Sequence, residues 1–139
     1  MDSCALTAVR RARSCGKKLT VVVTGATGKQ GGAVARGLLK RGHKVCAITG
    51  DPNSSQAKSL ADAGATLVVA SLEDTAGITK ALEGTTSLFA MTTPFGGTDA
   101  EIRQGVAAAD AAKAAGVHLV FTSVGSANRQ TGGDWFAFL

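Results

Sequence analysis

Residues 23–32 read VTGATGKQGG and lie between an apolar run that begins at Leu19 and a segment with helical spacing. Glycine weakens both strands and helices, so four glycines in ten residues need a structural reason. The amino end of a helix offers free backbone N–H groups and about half a positive charge, which together hold an anion without a basic side chain. Residues 23–32 therefore predict an anion-binding turn between a strand and a helix.

Three of these glycines have separate predicted tasks. Gly25 permits a sharp turn out of the strand, Gly28 lets a pyrophosphate approach the backbone, and Gly31 lets the helix pack closely on the sheet. The Gly-x-x-Gly-x-x-Gly spacing is one residue longer at its first gap than the common dinucleotide fingerprint, so the flanking strand and helix carry the prediction. A glycine-rich turn needed only for packing is the alternative.

The rest of the chain repeats the alternation of strand and helix. Five short apolar runs are LTVVV from Leu19, VCAI from Val45, TLVVA from Thr66, SLFAM from Ser87 and HLVFTS from His118. Segments with helical character separate them at 29–41, 54–63, 74–83 and 99–115. Apolar runs without alternation are typical of parallel strands covered on both faces. The pattern predicts an α/β fold with a doubly wound parallel sheet, strand order 3-2-1-4-5, and a ligand crevice between the first and fourth strands.

The charge is concentrated at the start of the chain. Residues 1–18 carry five basic side chains and one acidic one, whereas residues 19–139 carry ten and nine. The basic arm is interpreted as a solvated terminus, an organelle-targeting stretch or an anion-binding arm. A nearly neutral domain without an apolar run of about 20 residues predicts a cytoplasmic protein that binds neither nucleic acid nor a membrane, with a plastid or mitochondrion as the alternative.

The cysteines and histidines do not form a recognisable reactive or metal-binding pattern. Cys4, Cys15 and Cys46 lack metal-ligand spacing, and Cys46 falls in a predicted buried strand. His43 and His118 each lie where a loop enters a strand, without a partner spaced for a metal site or a catalytic triad. We expect structural histidines, no metal and no catalytic side chain among these residues.

Three stretches carry a resemblance to a known family: TGATGKQGGAVARGLLKRGHKV (24–45), DPNSSQAKSLADAGATLVVASLEDTAGITKALEG (51–84) and GVHLVFTSVGSAN (116–128). Together they resemble the N-terminal half of the NmrA-like family, atypical members of the short-chain dehydrogenase/reductase superfamily. The match covers about 19–133 and implies a Rossmann-like NAD(P)(H)-binding domain over those residues. It stops before DWFAFL at 134–139, a divergent aromatic tail.

The resemblance also implies which residues form the site. After the third strand, the residues that line the adenine are Leu72 and Glu73. At the end of the fourth strand, the residues beside the nicotinamide ribose are Thr92 and Thr93. The loop that wraps the pyrophosphate consists of Gly25, Ala26, Thr27, Gly28, Lys29, Gln30 and Gly31.

Several positions depart from the family pattern for cofactor choice. Members that bind NADP usually carry Arg after the second strand, where this chain has Gly50, and the acidic residue of an NAD-preferring site falls at Thr49. Ser71 replaces an Asp often found after the third strand. Lys29 and Lys58 are candidate sources of the missing positive charge. On the resemblance, NADP(H) is expected over NAD(H).

Two functions of different classes follow from the resemblance. One is the nucleotide-binding part of an NAD(P)H-dependent oxidoreductase, and the other is a non-catalytic NADP(H) sensor that acts through a protein partner. The chain contains no tyrosine, so the tyrosine-lysine pair of ordinary short-chain dehydrogenases is absent from it. Ser123 stands where those enzymes keep a substrate-orienting serine, with a plain strand-end hydroxyl as the alternative.

The length of the chain adds a third alternative. Family members are about twice as long, so a truncated gene product or splice product that binds nothing well is a further interpretation. The aromatic residues of 134–139 are expected either to belong to that divergent end or to fold back over the apolar edge of the fifth strand.

Overall fold

The computed structural model describes residues 17–123 as alternating strands and helices. The strands are β1 (Thr20–Val23), β2 (Lys44–Thr49), β3 (Thr66–Val69), β4 (Ser87–Met91) and β5 (His118–Thr122). The helices are α1 (Lys29–Lys40), α2 (Ser55–Asp62), α3 (Thr75–Leu82) and α4 (Thr98–Ala115), and a 3₁₀ turn spans Pro94–Gly96. Predictions about most of the basic arm and about the aromatic tail lie outside the described residues.

All neighbouring strands are parallel, and their order in the sheet is β3-β2-β1-β4-β5. The predicted doubly wound α/β sheet and its strand order are therefore confirmed. Every predicted strand and helix boundary lies within one residue of the observed boundary, whereas the 3₁₀ turn after β4 was not predicted. After β3 the chain returns to the other side of β1, which places the reversal of strand order between β1 and β4.

Successive side chains of β1 enter two separate cores. Val22 packs in the core beneath α3 and α4 together with Ile78. Val21 and Val23 pack in the core beneath α1 and α2 together with Leu60. Because neighbouring residues of a strand point to opposite faces, a strand buried on both faces must be apolar throughout. This explains why the VVV run does not alternate with polar residues.

Side chains cap two of the helices at their amino ends. The Ser54 hydroxyl accepts a hydrogen bond from the Ala57 N–H at 3.3 Å at the start of α2. The Asp74 carboxylate accepts one from the Gly77 N–H at 2.9 Å at the start of α3. Such caps satisfy N–H groups that have no partner within the helix. Helices α1 and α4 both begin after a glycine without a side-chain cap, but α4 has acidic residues in its first turn and α1 has none.

Helix α4 has the charge distribution that a helix dipole favours. Asp99 and Glu101 lie in its first turn and Lys113 in its last, and Gly116 ends it in the left-handed conformation with φ of 65°. Neither α4 nor any other helix within residues 17–123 is both long and apolar enough to cross a membrane. The buried face of α4 is formed mostly by alanines, Ala100, Ala107, Ala108, Ala111 and Ala112.

The thiol of Cys46 is half-buried in β2 and packs against the core beneath α3 and α4. Burial raises the pKa of this thiol, because the charged thiolate loses contact with water. A protonated thiol is a poor nucleophile, so Cys46 acts as a small apolar residue of the strand.

We expect Ile78→Ala to lower the free energy of unfolding by about 2–5 kcal/mol, because Ile78 is fully buried and its truncation leaves a cavity. The matched control is Ile102→Ala on α4, where the isoleucine is 58% exposed and the change should stay within about 0.5 kcal/mol. Urea denaturation followed by circular dichroism measures both. Equal effects of the two substitutions would contradict the described core.

Candidate functional site

A tight turn connects β1 to α1 at the carboxyl edge of the sheet. The Thr24 N–H continues the sheet by donating to the Phe89 carbonyl at 3.0 Å. Gly25 then turns the chain with φ of 59°, a conformation that favours glycine, and the Gly28 N–H donates back to the Gly25 carbonyl at 2.9 Å. The turn thus ends where α1 begins.

Gly31 is the point of closest approach between α1 and this turn. A Cβ at Gly31 would lie 2.7 Å from the Gly25 carbonyl carbon and 2.8 Å from the Thr24 carbonyl oxygen. Both atoms belong to the backbone and cannot rotate away. The predicted packing task of Gly31 agrees with this geometry, since any side chain there would push the helix away from the turn.

The buried hydroxyl of Thr24 ties the end of β1 to the end of β4. It accepts a hydrogen bond from the Met91 N–H at 2.9 Å and lies 3.3 Å from the Met91 carbonyl, to which it donates. The Met91 side chain covers Gly25, where a Cβ would lie 2.7 Å from the Met91 sulfur. Thr24 and Met91 therefore fix the turn against the neighbouring strand. Neither residue was predicted from the sequence to belong to the site.

The amino end of α1 is left without a side-chain cap. Its N-cap residue is Gly28, no side chain accepts a hydrogen bond there, and the first turn holds no acidic residue. The first N–H groups of a helix have no acceptor within the helix and carry partial positive charge. The start of α1 thus has free N–H groups at residues 23–32, and the anion-binding turn stays a prediction.

A cleft of about 540 Å³ lies beside this turn at the carboxyl edge of the sheet. It runs across the ends of β1, β2 and β3, and one residue that follows β4 also borders it. Its lining consists of Gly25, Thr27, Ile48, Thr49, Gly50, Val69, Ala70, Ser71, Leu72 and Thr93.

Four of the predicted site residues line this cleft: Gly25, Thr27, Leu72 and Thr93. The other residues of the loop differ in their exposure to solvent. Gly28, Lys29 and Gln30 are exposed at the start of α1, whereas Ala26 and Gly31 are buried beneath the turn. The structure thus brings the loop, Leu72 and Thr93 to one edge of the sheet.

The side chains of Glu73 and Thr92 are held by α4. The Arg103 guanidinium donates to the Glu73 carboxylate at 2.8 Å, and this hydrogen bond with the carboxylate's charge raises the pKa of Arg103. The Thr92 hydroxyl donates to the Glu101 carboxylate at 3.0 Å. Both predicted residues therefore lie next to cleft residues while their side chains contact a helix.

Gln30 makes a contact that the sequence did not predict. Its side-chain amide donates to the Thr122 hydroxyl at 2.9 Å, joining the start of α1 to the end of β5. This bond reaches over the end of β4, on the side of the turn away from β2 and β3. Residues so far apart in sequence leave no local signal for such a pairing.

The end of β2 offers open space where the family pattern places a charged residue. A Cβ at Gly50 would have no neighbour within 4 Å. The Thr49 hydroxyl accepts from the Asp51 N–H at 3.1 Å, and the Asp51 carboxylate accepts from the Asn53 N–H at 2.9 Å. The carboxylate of Asp51 is thus engaged within its own turn. The same region is also lined by Ile48, Val69 and Ala70, which were not predicted as site residues. Only their positions at the ends of neighbouring strands place them in the cleft.

His43 has a structural contact. Its Nδ1 accepts a hydrogen bond from the Leu19 N–H at 3.3 Å, which joins the loop before β2 to the start of β1. Within residues 17–123, no group of three or more His, Cys, Asp or Glu side chains could hold a metal ion.

Comparison with known proteins identifies the family. The model of the NmrA-like family matches residues 17–138, and the chain belongs to this family. A relative from Aspergillus hancockii, described as an NmrA-like family domain-containing oxidoreductase, is 37% identical over 122 residues, which are 81% of this chain and 36% of the relative. The match spans 39% of the length of a relative from Dictyostelium discoideum and 36% of the length of the one from Aspergillus hancockii.

Solved structures share the fold. Triphenylmethane reductase of Citrobacter sp., solved in complex with NADP(H), has a TM-score of 0.67 and 32% identity over 78% of this chain and 38% of its own. The negative transcriptional regulator NmrA has been solved with NADP and with NAD. These two structures have TM-scores of 0.71 and 0.72 and 29% identity over 81% of this chain and 35% of NmrA.

We expect Gly31→Ala to lower the free energy of unfolding by about 1–3 kcal/mol, because the methyl group meets the backbone of the turn. Gly37→Ala, on the same helix with no neighbour within 4 Å, should raise it by about 0.5–1 kcal/mol through better helix propensity. Urea titrations of the two variants give this comparison. Stabilisation by both would show that α1 does not touch the turn as described.

Proposed function

We propose that this chain binds NAD(P)(H) at the carboxyl edge of its sheet. The observation that carries the proposal is the uncapped amino end of α1 beside a cleft of about 540 Å³. An anion held there needs no basic side chain, since the backbone N–H groups and the helix dipole supply the attraction. The dinucleotides held by NmrA and by triphenylmethane reductase support the same ligand class.

In this proposal the loop of Gly25–Gly31 wraps the pyrophosphate through its backbone. The adenosine lies over the ends of β2 and β3, with Leu72 against the adenine and Glu73 contributing its backbone while Arg103 holds its carboxylate. The nicotinamide ribose passes Thr92 and Thr93 after β4. Gly28 lets the pyrophosphate approach the turn, because it presents no side chain to the ligand.

We further propose a preference for NADP(H) over NAD(H). In this proposal a 2′-phosphate lies beside Gly50, where a Cβ would have no neighbour within 4 Å, and Thr49 carries no carboxylate that would repel it. The exposed amines of Lys29 and Lys58 are the candidate sources of positive charge. Neither amine is fixed in position as an arginine after β2 would be, so we expect a modest preference.

The chemistry that we propose is that of the nucleotide-binding part of an NAD(P)H-dependent oxidoreductase. Relatives described as oxidoreductases support it, and the bound nicotinamide would supply the hydride while the protein orients it. A non-catalytic regulator that senses the cofactor is the second candidate, because NmrA is a negative transcriptional regulator solved with both dinucleotides.

Calorimetric titration of the chain with NADPH, NADP, NADH and NAD in parallel tests binding. Micromolar affinity for any of them supports the proposal, and no heat from a folded sample contradicts it. Oxidation of NADPH by a quinone acceptor then separates the two candidates, because turnover favours the oxidoreductase and binding without turnover favours the regulator.

We expect Gly28→Val to weaken dinucleotide binding at least about tenfold with unchanged helix content, because the side chain would occupy the pyrophosphate position. Gly37→Val is the matched control, since it makes the same substitution farther along α1 at an open position. Calorimetry and circular dichroism measure the two effects. Tight dinucleotide binding by a folded Gly28→Val variant would contradict the proposal that this turn binds the pyrophosphate.

We expect Gly50→Arg to raise the affinity for NADPH relative to NADH about tenfold, because a guanidinium fits the open space and can pair with the 2′-phosphate. Gly50→Ala adds a side chain without charge and should leave the ratio unchanged. The ratio of dissociation constants for the two cofactors is the measurement. An unchanged ratio in Gly50→Arg would place the 2′-phosphate elsewhere.

A further inference from the structure

The side chain of Gln104 reaches from α4 to the segment that follows β4. It is 9% exposed, and its Oε1 accepts a hydrogen bond from the Thr93 N–H at 2.8 Å and another from the Thr93 hydroxyl at 3.3 Å. An N–H group can pair only with the oxygen of the amide, so this contact also fixes the orientation of the carboxamide. The side chain of Gln104 therefore accepts from both hydrogen-bond donors of Thr93, its backbone N–H and its hydroxyl.

The same helix holds the preceding residue. Glu101 lies three positions before Gln104 on α4, and its carboxylate accepts from the Thr92 hydroxyl at 3.0 Å. Residues three apart on a helix share a face. Two successive residues after β4 are thus fixed by two side chains of a single helix, at the point where the ladder of β4 with its neighbours has ended.

Gln104 makes its hydrogen bonds in an apolar setting. Its neighbours on the buried side of α4 are alanines, including Ala100, Ala107 and Ala108. Both hydrogen bonds are partly buried. A hydrogen bond with less access to water is stronger, and a donor left without an acceptor is costly. An apolar residue in place of Gln104 would leave the Thr93 N–H without this acceptor, so the segment after β4 would have to rearrange.

Thr93 has a distinct place in the cleft. The other lining residues end or follow β1, β2 or β3, whereas Thr93 follows β4. A pyrophosphate at the start of α1 would lie over β1, between these two sides. Thr93 therefore borders the half of a dinucleotide that lies beyond the pyrophosphate from the adenosine.

We propose that Gln104 is a positioning residue of the dinucleotide site. It fixes the backbone and hydroxyl of Thr93 and thereby sets the affinity for the nicotinamide half of the ligand, without contacting that half itself. This inference rests on the proposed function. The expected effect differs from a general effect on folding, because only the affinity for the nicotinamide half of the ligand should change.

The test compares NADPH with ADP, which carries the adenosine and the pyrophosphate without the nicotinamide half. Gln104→Met keeps the length of the side chain and removes the accepting oxygen. It should weaken NADPH binding about tenfold, the effect of one lost partly buried hydrogen bond, and leave ADP binding unchanged. Gln56→Met, at an exposed position of α2, is the matched control and should change neither affinity.

One further variant keeps the test informative if Gln104→Met does not fold. Gln104→Asn is polar but too short to reach Thr93, and it should show the same selective loss. Unchanged NADPH affinity in a folded Gln104→Asn variant would contradict the role of the acceptor.

The outcomes separate this inference from the proposed function. An unmodified chain that binds neither NADPH nor ADP overturns the proposed function and the inference with it. An unmodified chain that binds both, with Gln104 variants that lose NADPH and ADP equally or lose neither, overturns the inference alone. Selective loss of NADPH supports both.

Discussion

The close contact between the start of α1 and the turn after β1 is the constraint on which the rest of the structure depends. Gly31 lies so near the backbone of Thr24 and Gly25 that only a hydrogen atom fits between them. Because β1 pairs with β2 on one side and with β4 on the other, a helix pushed away here would disturb the centre of the sheet. The contact also places the uncapped end of α1 at the sheet edge, so one packing requirement positions its free backbone N–H groups.

The reversal of strand order between β1 and β4 leaves the carboxyl edge of the sheet open beside this contact. Because of this reversal, the crossover helices leave the edge on opposite faces of the sheet. At the ends of β1 and β4, the Thr24 hydroxyl takes the place of the backbone hydrogen bonds between the strands. It bonds both the N–H and the carbonyl of Met91. The edge is therefore open for a ligand, yet the two strand ends are fixed relative to each other.

The fold could be predicted from the sequence because its signals are local. Unbroken apolar runs, helix caps such as Asp74 and the glycine that ends α4 each lie within a few residues of the boundary they set. The loop of the site was predictable for the same reason. The contacts of Gln104 with Thr93, of Arg103 with Glu73 and of Gln30 with Thr122 were not, because each depends on which helix face meets which strand end.

The two sides of the site are consequently built in different ways. On the side of β2 and β3, strand ends and turns such as Thr49–Asn53 form the cleft from backbone and short side chains, with space left at Gly50. On the side of β4, two side chains of α4 hold the chain in place. If a dinucleotide lies across both sides, changes near β2 should alter which adenosine phosphate is accepted, whereas changes on α4 should alter how firmly the nicotinamide half is held. Cofactor choice and cofactor positioning would then depend on separate elements, the end of β2 at Gly50 and the helix α4 at Gln104.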